Sequence, residues 1–189
     1  MLKNNSLKEC LDLRKEYVKK GKEKMLRLRP YKSCDAKIIE SWIQDEDVFL
    51  KWGGDHFGDF PISASIIDHK YRLENGDCKE EDNFYPWTAV DEENHVVGHF
   101  IMRYLQGNPK LLRFGWVIVD TKIRGKGYGS QMLTLGLKYA FDILGVDRIT
   151  IGVLENNEIA HHCYQKIGFK DKRVVNNIIE MDISRYDDE

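Results

Sequence analysis

Residues 117–130 read Val117-Ile118-Val119-Asp120-Thr121-Lys122-Ile123-Arg124-Gly125-Lys126-Gly127-Tyr128-Gly129-Ser130, a β-branched run that enters a glycine-rich turn and then a helical pattern. Glycine lets main-chain N–H groups approach a ligand closely. The first amides of a helix lack intrahelical acceptors, and the helix dipole favours an anion beside them. Lys122, Arg124 and Lys126 add positive charge, so the segment reads as a pyrophosphate cradle. It is not a P-loop, because the Gly-Lys-Ser/Thr ending is missing. Nor is it a dinucleotide fingerprint. Gly125, Gly127 and Gly129 have the wrong spacing, and the strands before them read as antiparallel rather than as the opening of a βαβ unit.

A second constellation lies some thirty residues further on. Residues 157–169 read Asn157-Glu158-Ile159-Ala160-His161-His162-Cys163-Tyr164-Gln165-Lys166-Ile167-Gly168-Phe169. His161, His162 and Cys163 are metal-capable types, but adjacent helical positions face different directions and cannot share one ion, so no metal is expected. Cys163, on the inner helical stripe, is not expected to act as a nucleophile.

Periodicity supplies the elements that must hold these segments. Residues 25–30 alternate apolar and basic residues like a strand that Pro30 ends. Ser33 is the expected N-cap of a helix carrying Ala36, Ile39, Trp42 and Ile43. Broken helical pieces follow to residue 73, interrupted by Gly53-Gly54 and Pro61, with Trp52 a candidate wall of an acceptor pocket. A polar, acidic loop is expected over residues 74–82. Phe84–Val90, His95–Leu105 and Leu111–Val119, joined by short polar turns, predict an antiparallel meander. From Gly127 to Leu144 the period becomes helical, with Leu133, Leu137, Ala140, Phe141 and Leu144 on one face and Gly145 as terminator. Arg148–Leu154 reads as a buried strand, Asn157–Ile167 as a helix, and Phe169 with Val174–Ile183 as closing strand material. This order gives an α/β domain on a mixed sheet. Residues 7–20 carry one apolar helical stripe, so residues 1–23 are read as a helical extension and 24–189 as the domain.

Composition narrows the function classes. The chain has 189 residues, 42% hydrophobic, too apolar for intrinsic disorder. Its 29 basic and 31 acidic residues give a net charge of −2, which argues against a nucleic-acid footprint. No apolar run is long enough for a membrane span, and the N-terminus has no signal-like core. Cys10, Cys34, Cys78 and Cys163 are scattered and read as free thiols, so a cytoplasmic location is expected.

Arg124-Gly125-Lys126-Gly127-Tyr128-Gly129 resembles the R/Q-x-x-G-x-G/A signature of the Gcn5-related N-acetyltransferases (GNAT), and residues 157–169 resemble that family's N-x-x-A-x-x-x-Y-x-K-x-G-F signature. The resemblance covers about residues 24–184 and looks nearest to the branch of ribosomal-protein alanine acetyltransferases and small-molecule relatives. It implies an α/β (α+β) fold, with a mixed, largely antiparallel central sheet, splayed middle strands and flanking helices. It also implies acetyl-CoA as co-substrate. By the resemblance, Val117, Ile118 and Val119 offer main-chain groups to the pantetheine arm. Arg124, Gly125, Lys126, Gly127, Tyr128, Gly129 and Ser130 cradle the pyrophosphate, and Asn157 contacts the pantetheine near the acetyl group.

Tyr164 matches the family tyrosine beside the departing sulfur. A phenol near pKa ~10 and a thiol near ~8.5 make full proton transfer uphill by about 2 kcal/mol, so a hydrogen bond to the thiolate is the expected role. The general base is harder to place. The positions at which many relatives carry a glutamate correspond to Arg113 and Gly152, leaving His99, Glu155, Asp120 or a water chain as candidates. The expected reaction is direct acetyl transfer to a small-molecule amine. A peptide or protein N-terminal amine is the alternative, and a non-catalytic acyl-CoA-binding module is a third reading. A homodimer is left open.

Overall fold

The computed structural model describes residues 25–76 and 83–186. The expected helix of residues 7–20, the extension 1–23 and most of the acidic loop, 77–82, lie outside the described residues. The chain order is β1 (Arg27–Pro30), α1 (Asp35–Trp42), α2 (Glu46–Trp52), a 3₁₀ turn (Gly54–His56) and α3 (Ala64–Gly76). Then come β2 (Phe84–Val90), β3 (Val96–Leu105), β4 (Asn108–Val119), a second 3₁₀ turn (Thr121–Ile123) and α4 (Tyr128–Lys138), which continues as a π-helical turn (Tyr139–Ile143). β5 (Arg148–Leu154), α5 (Glu158–Lys166), β6 (Lys170–Val175) and β7 (Ile178–Ser184) complete it.

The seven strands form one sheet in the order β1-β2-β3-β4-β5-β7-β6. Every pairing is antiparallel except β4 with β5. The mixed, largely antiparallel sheet expected from the sequence is therefore present. The expected strand Val174–Ile183 is instead a hairpin. Asn176 and Asn177 both take positive φ and turn the chain between β6 and β7, as asparagine tolerates better than most residues. Ser33 is likewise not the N-cap of α1. Cys34 takes that place with no side-chain cap, and Asp35 anchors the start by accepting from Arg29 (2.7 Å to each oxygen), the Lys32 N–H and Thr88 Oγ1.

Two hydrophobic cores sandwich the sheet. Met132, Leu133, Leu137 and Ala140 of α4 pack with Phe100, Met102, Leu112 and Phe114 on one face. Ile39 and Trp42 of α1, Phe49 and Trp52 of α2 and Ile67 and Tyr71 of α3 pack with Ile101, Trp116 and Ile118 on the other. Strand alternation alone would put residues 112, 114, 116 and 118 on one face. A β-bulge between His99 and Ile101, opposite Trp116 at φ 47°, reverses the faces. Phe114 therefore packs under α4 while Trp116 and Ile118 pack under α1–α3, and Val117 and Val119 turn towards α4.

Candidate active site

β4 and β5 are paired only from Leu111 with Arg148 to Phe114 with Ile151. Beyond that point the strands are not paired with each other, though β4 runs on to Val119 and β5 to Leu154. This divergence opens the middle of the sheet between α4 and α5.

A cleft of about 460 Å³ lies on that side, walled by Val117, Ile118 and Val119 and by Ile123, Arg124, Gly125, Gly127, Tyr128, Gly129 and Ser130. Asn157, Cys163 and Tyr164 of the α5 segment line it too, and α2 closes it with Asp47, Val48, Lys51 and Trp52. Gly127 precedes α4 at φ 82° and Gly125 sits at φ 77°, in the left-handed region. Nothing lies within 4 Å of where a Cβ would stand at either glycine, so they are required by backbone conformation and leave the cradle open. No side chain caps α4, so its leading N–H groups meet the cleft as an anion site. Lys126 is exposed and lies outside the lining, the one member of the expected cradle that does.

Asn157 is the N-cap of α5. Its side-chain oxygen accepts from the Ala160 N–H at 3.3 Å, which leaves its NH₂ to face other partners. Tyr164, two turns on, is the buried residue of α5. Burial, with a smaller contribution from Cys163, pushes its phenol far above the ordinary range, so it stays protonated and is a still poorer acid towards a thiolate than an unburied tyrosine. Cys163 Sγ lies 3.3 Å from Ser130 Oγ and ties α5 to α4. Its neighbours face elsewhere. His161 Nε2 meets the Asp171 carboxylate and His162 Nδ1 the Glu158 carbonyl.

A second cleft, of about 650 Å³, lies across the splay and is lined by Trp116, Arg103, Arg113, Gly152, Asp55 and His56, among others. It shares Lys51, Trp52, Asn157 and Tyr164 with the first. Trp52 is thus a wall of both clefts as well as a core residue, its Nε1–H donating to the Trp116 carbonyl at 2.9 Å.

The expected base candidates are not brought here. His99 is fully buried against Tyr71, 2.7 Å from the Tyr71 hydroxyl, and burial pulls its imidazole down to about 3. Asp120 caps the 3₁₀ turn by accepting from the Lys122 N–H, and Glu155 is exposed outside both linings. Arg113 and Gly152 prove to be one device. Gly152 pairs in register with Glu180, and Arg113 reaches across β5 to donate to both Glu180 oxygens at 2.7 and 3.1 Å. A Cβ at residue 152 would stand 2.6 Å from Arg113 Nη2, so the glycine opens the path for the ion pair. His56, Arg103, Lys51 and Asp47 went unrecognised in the sequence. The only local signal was the Gly53-Gly54 break, at which Gly53 takes φ 117°.

A model of the acetyltransferase (GNAT) domain matches residues 25–170. A mycothiol acetyltransferase of Salinispora arenicola (strain CNS-205) is 26% identical over 134 residues, 66% of this chain and 41% of that protein. An N-acetyltransferase 9-like protein of Caenorhabditis briggsae is 23% identical over 166 residues, 82% of this chain and 79% of that one. The chain thus spans about two fifths of the first relative's length and about four fifths of the second's. Among solved structures, a spermidine N-acetyltransferase from Vibrio cholerae in complex with CoA and spermine shares the fold, with a TM-score of 0.70 and 19% identity, covering 85% of this chain and 95% of that one.

Proposed function

The chain belongs to the GNAT acetyltransferase family, and from that premise we propose that it transfers the acetyl group of acetyl-CoA directly to the primary amine of a small molecule. The observation that carries this reading is the pair of clefts meeting at Asn157 and Tyr164. A thioester lying along the glycine-lined cleft and an amine entering by the other would meet at the wall the clefts share, where Lys51 and Trp52 stand with Asn157 and Tyr164. The cradle suits the diphosphate of the co-substrate, with left-handed glycines, uncapped helix amides and Arg124 around an open space. Val117 follows the bulge, and its main-chain N–H is the donor assigned to the acetyl carbonyl, where charge develops. The protonated Tyr164 phenol hydrogen-bonds the departing sulfur without surrendering its proton. The named activities of the relatives in Salinispora and Vibrio support a small acceptor. The scattered cysteines support a cytoplasmic setting.

Free-thiol release from acetyl-CoA, measured with polyamines, aminoglycosides, amino acids and short peptides, tests the reading. Turnover with a small amine is the expected result. Turnover with peptides alone would move the acceptor to protein N-termini. Acetyl-CoA binding without any turnover would replace the enzyme by a binding module.

A further inference from the structure

The amine must shed a proton as its nitrogen bonds to the acetyl carbon, and a base is useful only within hydrogen-bond reach of it or one water away. The second cleft presents few side chains able to take that proton. Glu180, behind it, has both oxygens engaged by Arg113. Asp55 stands 3.9 Å from the His56 ring and is 72% exposed, the more solvated of the two. Lys51 and Arg103 are cations, and Tyr164 stays protonated. That leaves His56.

The sequence holds His56 in place by a specific fit. Asp45 caps α2 and the helix ends at Gly53 in the left-handed conformation, from which the 3₁₀ turn Gly54–His56 departs across the cleft. Gly53 has no side chain where Trp116 Cδ1 would be only 2.7 Å away, so the turn seats directly on Trp116. The His56 ring lies 5.9 Å from the Trp116 ring, beside the bulge that precedes Val117. His56 remains 56% exposed, which gives a captured proton a route to solvent.

The geometry points to His56 as the general base for the acetyl transfer proposed above. The amine lone pair forms the C–N bond, the C–S bond breaks with its pair leaving on sulfur, and the nitrogen's proton passes to the imidazole and then to water. The charged groups sharing the cleft are Asp55, 3.9 Å from the ring, Lys51 paired with Asp47, Arg103 beside Glu74 and Arg113 paired with Glu180.

This inference rests on the proposed function, and one experiment separates them: kcat/KM for the amine as a function of pH in wild type, His56→Gln and His56→Ala. Wild type should lose activity on acidification as the imidazole takes up a proton, a limb in addition to the one set by the amine itself. His56→Gln should lower kcat/KM about a hundredfold at pH 7 and retain only the amine limb, with the KM for acetyl-CoA within about twofold. Added imidazole should restore part of the His56→Ala activity, and the exposed His69→Gln should leave the profile unchanged. An imidazole limb surviving in His56→Gln would overturn the base and leave the function standing. Absence of thiol release with every amine would overturn both.

Discussion

Gly152→Ala should reverse the usual sign of a glycine substitution. Replacing a strand glycine ordinarily stabilises a chain by about 0.5–1 kcal/mol, because glycine loses more freedom on folding. Here the added Cβ would stand 2.6 Å from Arg113 Nη2 and 3.0 Å from Ile178 Cγ2, so the guanidinium must swing away from Glu180. Charge-assisted hydrogen bonds contribute about 1.5–3 kcal/mol when sheltered. With Arg113 and Glu180 side chains 27% and 26% exposed, a discounted loss of about 1–2 kcal/mol is reasonable. The balance is a net destabilisation of about 0.5–1 kcal/mol, or roughly 1–4 °C in Tm for a domain of this size. In a Glu180→Gln background there is little pair left to break, so the same substitution should become neutral or stabilising. Denaturant unfolding of the two single variants and the double variant measures the coupling, expected near 1 kcal/mol. If Gly152→Ala stabilises the wild type as much as it does Glu180→Gln, the glycine does not serve the ion pair.

Tyr164→Phe should cut kcat about 10- to 100-fold, the value of one hydrogen bond to a developing thiolate, with acetyl-CoA affinity within about twofold by calorimetry; an unchanged kcat would remove its role. Asn157→Asp keeps an oxygen to cap α5 but loses the NH₂ donors, so acetyl-CoA binding should weaken with little change in Tm, whereas Asn157→Ala should lower both, the cap alone by about 1 kcal/mol. His99, with its imidazole drawn down to about 3, binds its proton only in the unfolded chain between that pH and about 6.5. Stability should therefore fall as pH drops below about 6.5, by up to about 1.4 kcal/mol per unit, and urea midpoints of His99→Gln should show a shallower dependence.

The chemistry-bearing segments were legible because their signals are local. Alternating glycines, an asparagine three residues before an alanine, and a tyrosine on the same helical stripe all act within one or two turns. The meander was legible for the same reason, each strand being bounded by turn residues. What the sequence did not show depends on pairing across the sheet. Residues 111–119 read as an uninterrupted strand, and only the register against β3 reveals the bulge that sends Trp116 and Val117 to opposite sides. Arg113 and Gly152 looked like two separate departures from a glutamate pattern, because their common partner lies 67 residues from Arg113. His99 was a base candidate by location alone, a strand histidine being more often structural, and the aromatic neighbours that bury it, Tyr31 and Tyr71, come from distant segments. His56 gave no signal of its own beyond two glycines.

The divergence of β4 from β5 means that this sheet has two raw edges in its interior as well as its outer ones. Proteins ordinarily shield such rows of backbone donors and acceptors, because they recruit other strands. Here the gap is kept between α4 and α5, whose tie through Ser130 and Cys163 joins the two helices beside it. A co-substrate lying along β4 would act as a missing rung of the sheet, so its occupancy becomes part of the fold's own stability. At a hundred times its dissociation constant such a ligand adds about 2.7 kcal/mol. The abundance of the protein in a cell would then track the local supply of acetyl-CoA, even if its catalytic rate were unchanged.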